Sequence, residues 1–155
     1  TLSEFKDIEN ILNWNQQIDL DPNESKVVLT IPRNGLPTDE DQLHTYLQLS
    51  LSNHEGICAS KNIYFKPFKK LLLPNPIMRF DAKCDKKNVL YITVKSENYA
   101  RGVHITCDSV VNFSENFFDL PINGQKTVSV PLDSFSDIDA IIKSIQLRSL
   151  WDSRR

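Results

Sequence analysis

Glycine is scarce in this chain, with four residues in 155. Gly35, Gly56, Gly102 and Gly124 lie far apart, which excludes the glycine-rich loops that cradle phosphates and dinucleotides. Cysteine is also sparse. Cys58, Cys84 and Cys107 form no C-x-x-C pair, so neither a zinc ribbon nor a dithiol redox motif is spelled out. They read as small buried hydrophobes; a Cys84–Cys107 disulfide stays open, because spacing alone does not set its geometry. The charge nearly cancels at -2, which leaves no electrostatic footprint for nucleic acid or an anionic membrane. No apolar run approaches the ~18 residues that a membrane-spanning helix needs. The first six residues carry neither the basic nor the apolar region of a signal peptide, and localisation is left unassigned.

Present instead is a balanced globular composition, 40% hydrophobic and 25% charged, in a chain able to bury roughly 70% of its unfolded surface. The dominant period is two. Leu43, Thr45, Leu47, Leu49 and Leu51 alternate with His44, Tyr46, Gln48 and Ser50, which predicts a strand with its leucines inward and Tyr46 outward. Asn53 to Gly56 turns that strand back into a second one over Ile57 to Tyr64. Further strands are expected over Lys26 to Pro32, Ile77 to Ala82, Val89 to Lys95, Val103 to Cys107, Thr127 to Val130 and Ser144 to Leu150. Short strands about ten residues apart, broken by turn signals, are the pattern of an all-β sandwich. Asp133 to Lys143 predicts a short helical turn. Ser3 to Leu12 has helical spacing at Phe5, Ile8, Ile11 and Leu12, and helix and strand both remain open there.

Pro67 to Pro76 marks an internal boundary, since Pro74 and Pro76 stiffen the chain and remove ladder donors. This gives an N-terminal lobe over 1–73 and a C-terminal lobe over 74–155. The second is long enough for a complete sandwich. The first offers about four strands, too few for a two-sheet core, and reads as partial: truncated at its start or supported by its neighbour.

The densest motif is Asn112 to Leu120. Phe113, Phe117 and Phe118, three of the eight phenylalanines, fall within six positions among Ser114, Asn116 and Asp119. Polar side chains of these types hold turns and the aromatics supply an apolar anchor. The motif therefore reads as a structural corner, with Phe118 as the core plug. It contains no nucleophile and no metal cluster.

The same residues carry a resemblance. Phe113 to Leu120, followed by Gly124 and Thr127-Val128, resembles the signature of the last β-sandwich domain of β-mannosidases, which are family-two glycoside hydrolases. Ala100-Arg101-Gly102-Val103 falls where that family begins a strand, and Leu47 to Pro67 is similar to the end of its penultimate sandwich. Glu115 replaces the usual aspartate, and Pro121 to Gly124 replaces a proline-glycine pair. The resemblance covers roughly residues 43–151. It implies immunoglobulin-like sandwiches, a strand in the ambiguous Ser3 to Leu12 stretch, and a non-catalytic accessory part that buttresses a catalytic barrel in cis. The parent's substrate would be a β-mannoside or another glycan.

A retaining glycosidase needs two carboxylates about 5 Å apart in a cleft. Its usual barrel takes ~250 residues, so this chain is expected to carry no catalytic, cofactor or metal residues of its own. Asp39-Glu40-Asp41 lacks calcium-loop spacing, and His44, His54 and His104 are scattered. The rival reading is an autonomous carbohydrate-binding or adhesive sandwich. Its exposed aromatics would come from Trp14, Trp151, Tyr46, Tyr64 and Tyr99, of which the two tryptophans are expected to pack structurally.

Overall fold

The alternating stretches become antiparallel strands. The computed structural model describes residues 1–5, 10–108, 112–133 and 136–154, and these form ten strands and one short α-helix. The chain divides into two units, Thr1–Leu72 and Leu73–Arg155.

The first unit holds one four-stranded sheet of β1 (Leu2–Glu4), β2 (Asn10–Leu12), β3 (Thr45–Asn53) and β4 (Gly56–Tyr64), in the order β2-β1-β3-β4. Both described ends of the Ser3 to Leu12 stretch are therefore strand, although residues 6–9 lie outside the described set. Leu2 pairs opposite Leu47, and Glu4 opposite Thr45, so a hydrogen-bonded ladder overrides the helical spacing. Lys26 to Pro32 is not a strand. Val27, Val28 and Leu29 stand exposed there, because β-propensity has effect only beside a partner strand.

Strand β3 also corrects the expected facing. Tyr46 is 5% exposed, whereas Leu49 and Leu51 are exposed. Tyr46 stacks on Phe5 at 5.5 Å and on Tyr64 at 6.3 Å, and Tyr64 meets Phe68 edge-on at 5.4 Å. Those rings cover one face at the base of the hairpin, while Leu2, Thr45 and Leu47 are buried through the other. Toward the tip neither face is covered, and Cys58 is exposed, not buried. At the turn, Gly56 takes φ 130, and Glu55 N–H donates to Asn53 Oδ1 at 2.9 Å.

The second unit is a sandwich. One sheet orders β5 (Met78–Cys84), β6 (Val89–Ser96) and β9 (Gln125–Pro131) as β5-β6-β9. The other orders β7 (Ala100–Thr106), β8 (Phe118–Leu120) and β10 (Gln146–Arg148) as β10-β7-β8. Alternate residues of both sheets meet in one core: Leu90, Ile92 and Val94 with Val128 and Val130 from the first, Val103, Ile105, Phe118 and Leu120 from the second. Each buried aliphatic side chain contributes on the order of 1.5–3 kcal/mol. Helix α1 (Ile138–Ser144) closes the core with Ile141 and is capped by Asp137, whose side chain accepts from Ala140 N–H. No disulfide joins Cys84 to Cys107. The expected final strand is trimmed to Gln146–Arg148 and continues into a 3-10 turn.

The β5–β6 turn rests on Asp85. Its Oδ1 accepts from Lys87 N–H at 2.8 Å and from Val89 N–H at 2.9 Å, around Asn88 at φ 58. The Val89 hydrogen bond, followed by that of Lys87, holds the Asp85 carboxyl below the ordinary value of 3.8. A carboxyl lowered by folding stabilises the native state above the unfolded pKa and loses that contribution as pH falls through the folded value. Carboxyl-detected NMR should therefore give Asp85 a midpoint below 3.8; an ordinary midpoint would mean that the turn is not held in this way. Hydrogen exchange should also separate the units. Amides of the β3–β4 tip should exchange faster than those of β6 and β7, because few apolar contacts protect them. Equal protection would contradict the open tip.

Candidate functional site

The phenylalanine-rich corner lies against β7, and two of its polar side chains, Asn116 and Asp119, hydrogen-bond that strand's backbone. Asn116 Nδ2 donates to the Ile105 carbonyl at 2.9 Å, and Ile105 N–H donates to Asn116 Oδ1 at the same distance. The carboxamide thus pairs like one more residue of a strand. Phe117 N–H also donates to Asn116 Oδ1 at 3.1 Å, and Phe117 takes φ 61. A left-handed conformation costs a non-glycine residue roughly 1–2 kcal/mol, which the paired hydrogen bonds offset.

Asp119 holds the other end. Strand β7 shifts register between Ala100 and Val103 against β8, and Gly102 sits in that bulge at φ 59. Gly102 N–H donates to Asp119 Oδ1 at 2.9 Å, the Arg101 guanidinium pairs with the same oxygen, and the Tyr99 hydroxyl donates to Oδ2 at 3.2 Å. The Arg101 and Asp119 side chains are 25% and 15% exposed. Three donors from Tyr99 to Gly102, at the start of β7, therefore converge on one carboxylate.

Ser114 clasps the opposite sheet. Its N–H donates to the Ser129 carbonyl at 2.8 Å, and Ser129 N–H donates to Ser114 Oγ at 3.0 Å. Glu115 pairs with Lys126 at 2.6 Å, and the Lys126 ammonium lies 5.2 Å from the Phe118 ring centre. Phe118 is 5% exposed and sits in the core, while Phe113 packs against it from the margin. Phe117 is 65% exposed, with its ring stacked on His104 at 4.4 Å and 11°.

The structure thus brings Ser114, Asn116, Phe118 and Asp119 into one clamp across three strands and turns Phe117 away from it. Sequence reasoning missed His104 and the hydrogen-bonding role of Tyr99. Tyr99 is buried and Trp151 half-buried, and Trp14 stands partly exposed where packing was expected. Gly124 admits no side chain, since a Cβ would lie 2.7 Å from the Pro121 carbonyl oxygen. Among the described residues, no group of three or more His, Cys, Asp or Glu could hold a metal ion. No described helix is long and apolar enough to cross a membrane.

Phe118→Ala should lower stability by about 3–5 kcal/mol through lost burial and an unfilled cavity. Asp119→Ala should cost about 2–4 kcal/mol by depriving three donors, one of them a half-buried guanidinium, of this acceptor. Thermal melts read both, at roughly 4–8 °C per kcal/mol for a unit of this size. Unchanged melting points would remove the clamp as a stabilising element.

Comparison with known proteins follows the division into units. Residues 73–153 match the mannosidase Ig-fold domain family, and residues 1–70 match the mannosidase Ig/CBM-like domain family. A crystal structure of a β-D-mannosidase from Dictyoglomus thermophilum is similar over 96% of this chain, with a TM-score of 0.71 and 16% sequence identity. The chain spans 18% of that protein's length. A search of curated proteins gives no match.

Proposed function

We infer, from a chain that belongs to the mannosidase Ig-fold domain family, a non-catalytic accessory role within a β-mannosidase-like, family-two glycoside hydrolase. Its lobes, 1–73 and 74–155, buttress the parent's catalytic barrel in cis, and the parent acts on a β-mannoside or a related glycan.

The observation that carries this reading is the tiling of two mannosidase domain families along the chain, over residues 1–70 and 73–153. The chemistry of the corner supports it. Asn116 and Asp119 direct their side chains at backbone and at Arg101, which rigidifies a sandwich and leaves those groups committed. A buttress needs that stiffness, because a neighbour is supported only by a surface that does not itself yield. Phe113, Ser114, Asn116, Phe118 and Asp119 are on this reading structural residues.

The test removes residues 1–155 from the parent hydrolase. The shortened enzyme should melt several degrees lower, yet hydrolyse a small chromogenic mannoside with nearly unchanged kcat in whatever fraction stays folded. The separate chain should release no chromophore from mannosides, galactosides or glucuronides. Turnover by the separate chain that vanishes on mutating one of its carboxylates would overturn the reading, as would a parent whose melting point ignores the deletion.

A further inference from the structure

The clamp leaves one large residue of the corner unused. Phe117 is the only large hydrophobic on strands β7, β8 and β10 or their immediate flanks that stands among the exposed ones of the described residues. It is held in a left-handed conformation at φ 61, one residue before an edge strand. Strain retained together with exposure of an aromatic ring is an outlier that calls for a functional account. We propose that Phe117, backed by His104, with Arg148 opposite His104 on the next strand, is a stacking platform for a single pyranose ring of a mannose-containing glycan.

The geometry is that of a prepared surface. His104 lies under Phe117 at 4.4 Å and nearly parallel, so one ring face is filled and the ring's orientation is set before any ligand arrives. That lowers the entropy cost of binding. Phe117 nonetheless keeps 65% of its surface exposed, and an apolar sugar face meets such a ring through C–H contacts. Cross-strand register puts Arg148 directly opposite His104, on the same face of the sheet. Among the described residues Arg148 forms no ion pair, whereas Arg101 is taken by Asp119 and Lys126 by Glu115. An uncommitted guanidinium on the same face of the sheet can donate to sugar hydroxyls.

Size and polarity favour a sugar over a protein. A stable protein interface takes about 800 Å² from each partner around an apolar centre. Here Phe117 stacks on His104, and the register partners that share the outward face of the sheet with His104 are Thr106, Gln146 and Arg148, all polar, so the apolar spot is one ring wide. One pyranose fits that spot and its hydroxyls suit that rim. The choice of mannose within the hexoses rests on the accessory reading above; the platform itself rests on Phe117, His104 and Arg148.

The test titrates β-1,4-mannotetraose, with cellotetraose as control, into the isotope-labelled 155-residue chain and follows amide and aromatic NMR shifts. Shifts should cluster on Phe117, His104 and Arg148. Phe117→Ala should weaken binding at least tenfold and keep the melting point within about 2 °C, as expected for an exposed side chain; Phe117→Trp should bind at least as well as the parent. Shifts elsewhere, or equal binding by Phe117→Ala, would overturn the platform. A response to cellotetraose alone at Phe117 would overturn the choice of mannose. Neither result touches the accessory role, which is read from the deletion in the parent enzyme.

Discussion

The Asp119 carboxylate closes one end of the second sandwich. A β-bulge at Gly102 takes that residue out of the β7–β8 ladder, and its main-chain N–H, the Arg101 guanidinium and the Tyr99 hydroxyl meet at the margin of the core. One carboxylate accepts from all three. With Asp119 fixed, Phe118 and Leu120 on either side of it point into the core, as strand alternation requires. Asn116 then extends the pairing beyond the strand's own length. A strand of three residues would be marginal alone; with the Asp119 side chain at its centre and that of Asn116 just before it bonding the β7 backbone, it holds the edge of a sheet.

This explains which parts of the fold were legible. Strands β3, β4, β5, β6, β7 and β9 alternate over seven to nine residues each, and their period is plain in the letters. Strand β8 is not, because Asn116 and Asp119 are turn-formers by habit and their use as ladder partners depends on β7, some fifteen residues upstream. Lys26 to Pro32 fails in the opposite direction. Its residues suit a strand, yet no described strand lies beside it. Tyr46 shows a third limit: alternation separates two faces of β3 but does not say which is covered, and here aromatic rings cover the face away from the leucines.

The candidate site divides along the same line. The corner's membership was legible, since phenylalanine beside asparagine and aspartate is an unusual mixture. The direction of each ring was legible only for Phe118, which alternation sends inward. His104 carried no signal, because nothing near it in sequence marks a stacking partner. The family match over 73–153 takes in the whole corner, and in this chain the polar groups of that corner, Asn116 and Asp119, are committed to hydrogen bonds within the scaffold.

The central position of β7 sets how this unit must assemble. It lies between β8 and β10, and its pairing of Thr106 with Gln146 joins positions 40 residues apart (146 − 106). On the other sheet, β6 joins β9 from Val89 to Pro131, 42 residues apart (131 − 89). Neither sheet can therefore zip from a local hairpin alone. Loop-closure entropy has to be spent before the core returns any energy, so folding on the scale of milliseconds to seconds is expected for such topology. During synthesis β7 emerges long before β10, and in that interval one of its hydrogen-bonding edges faces solvent and other nascent chains.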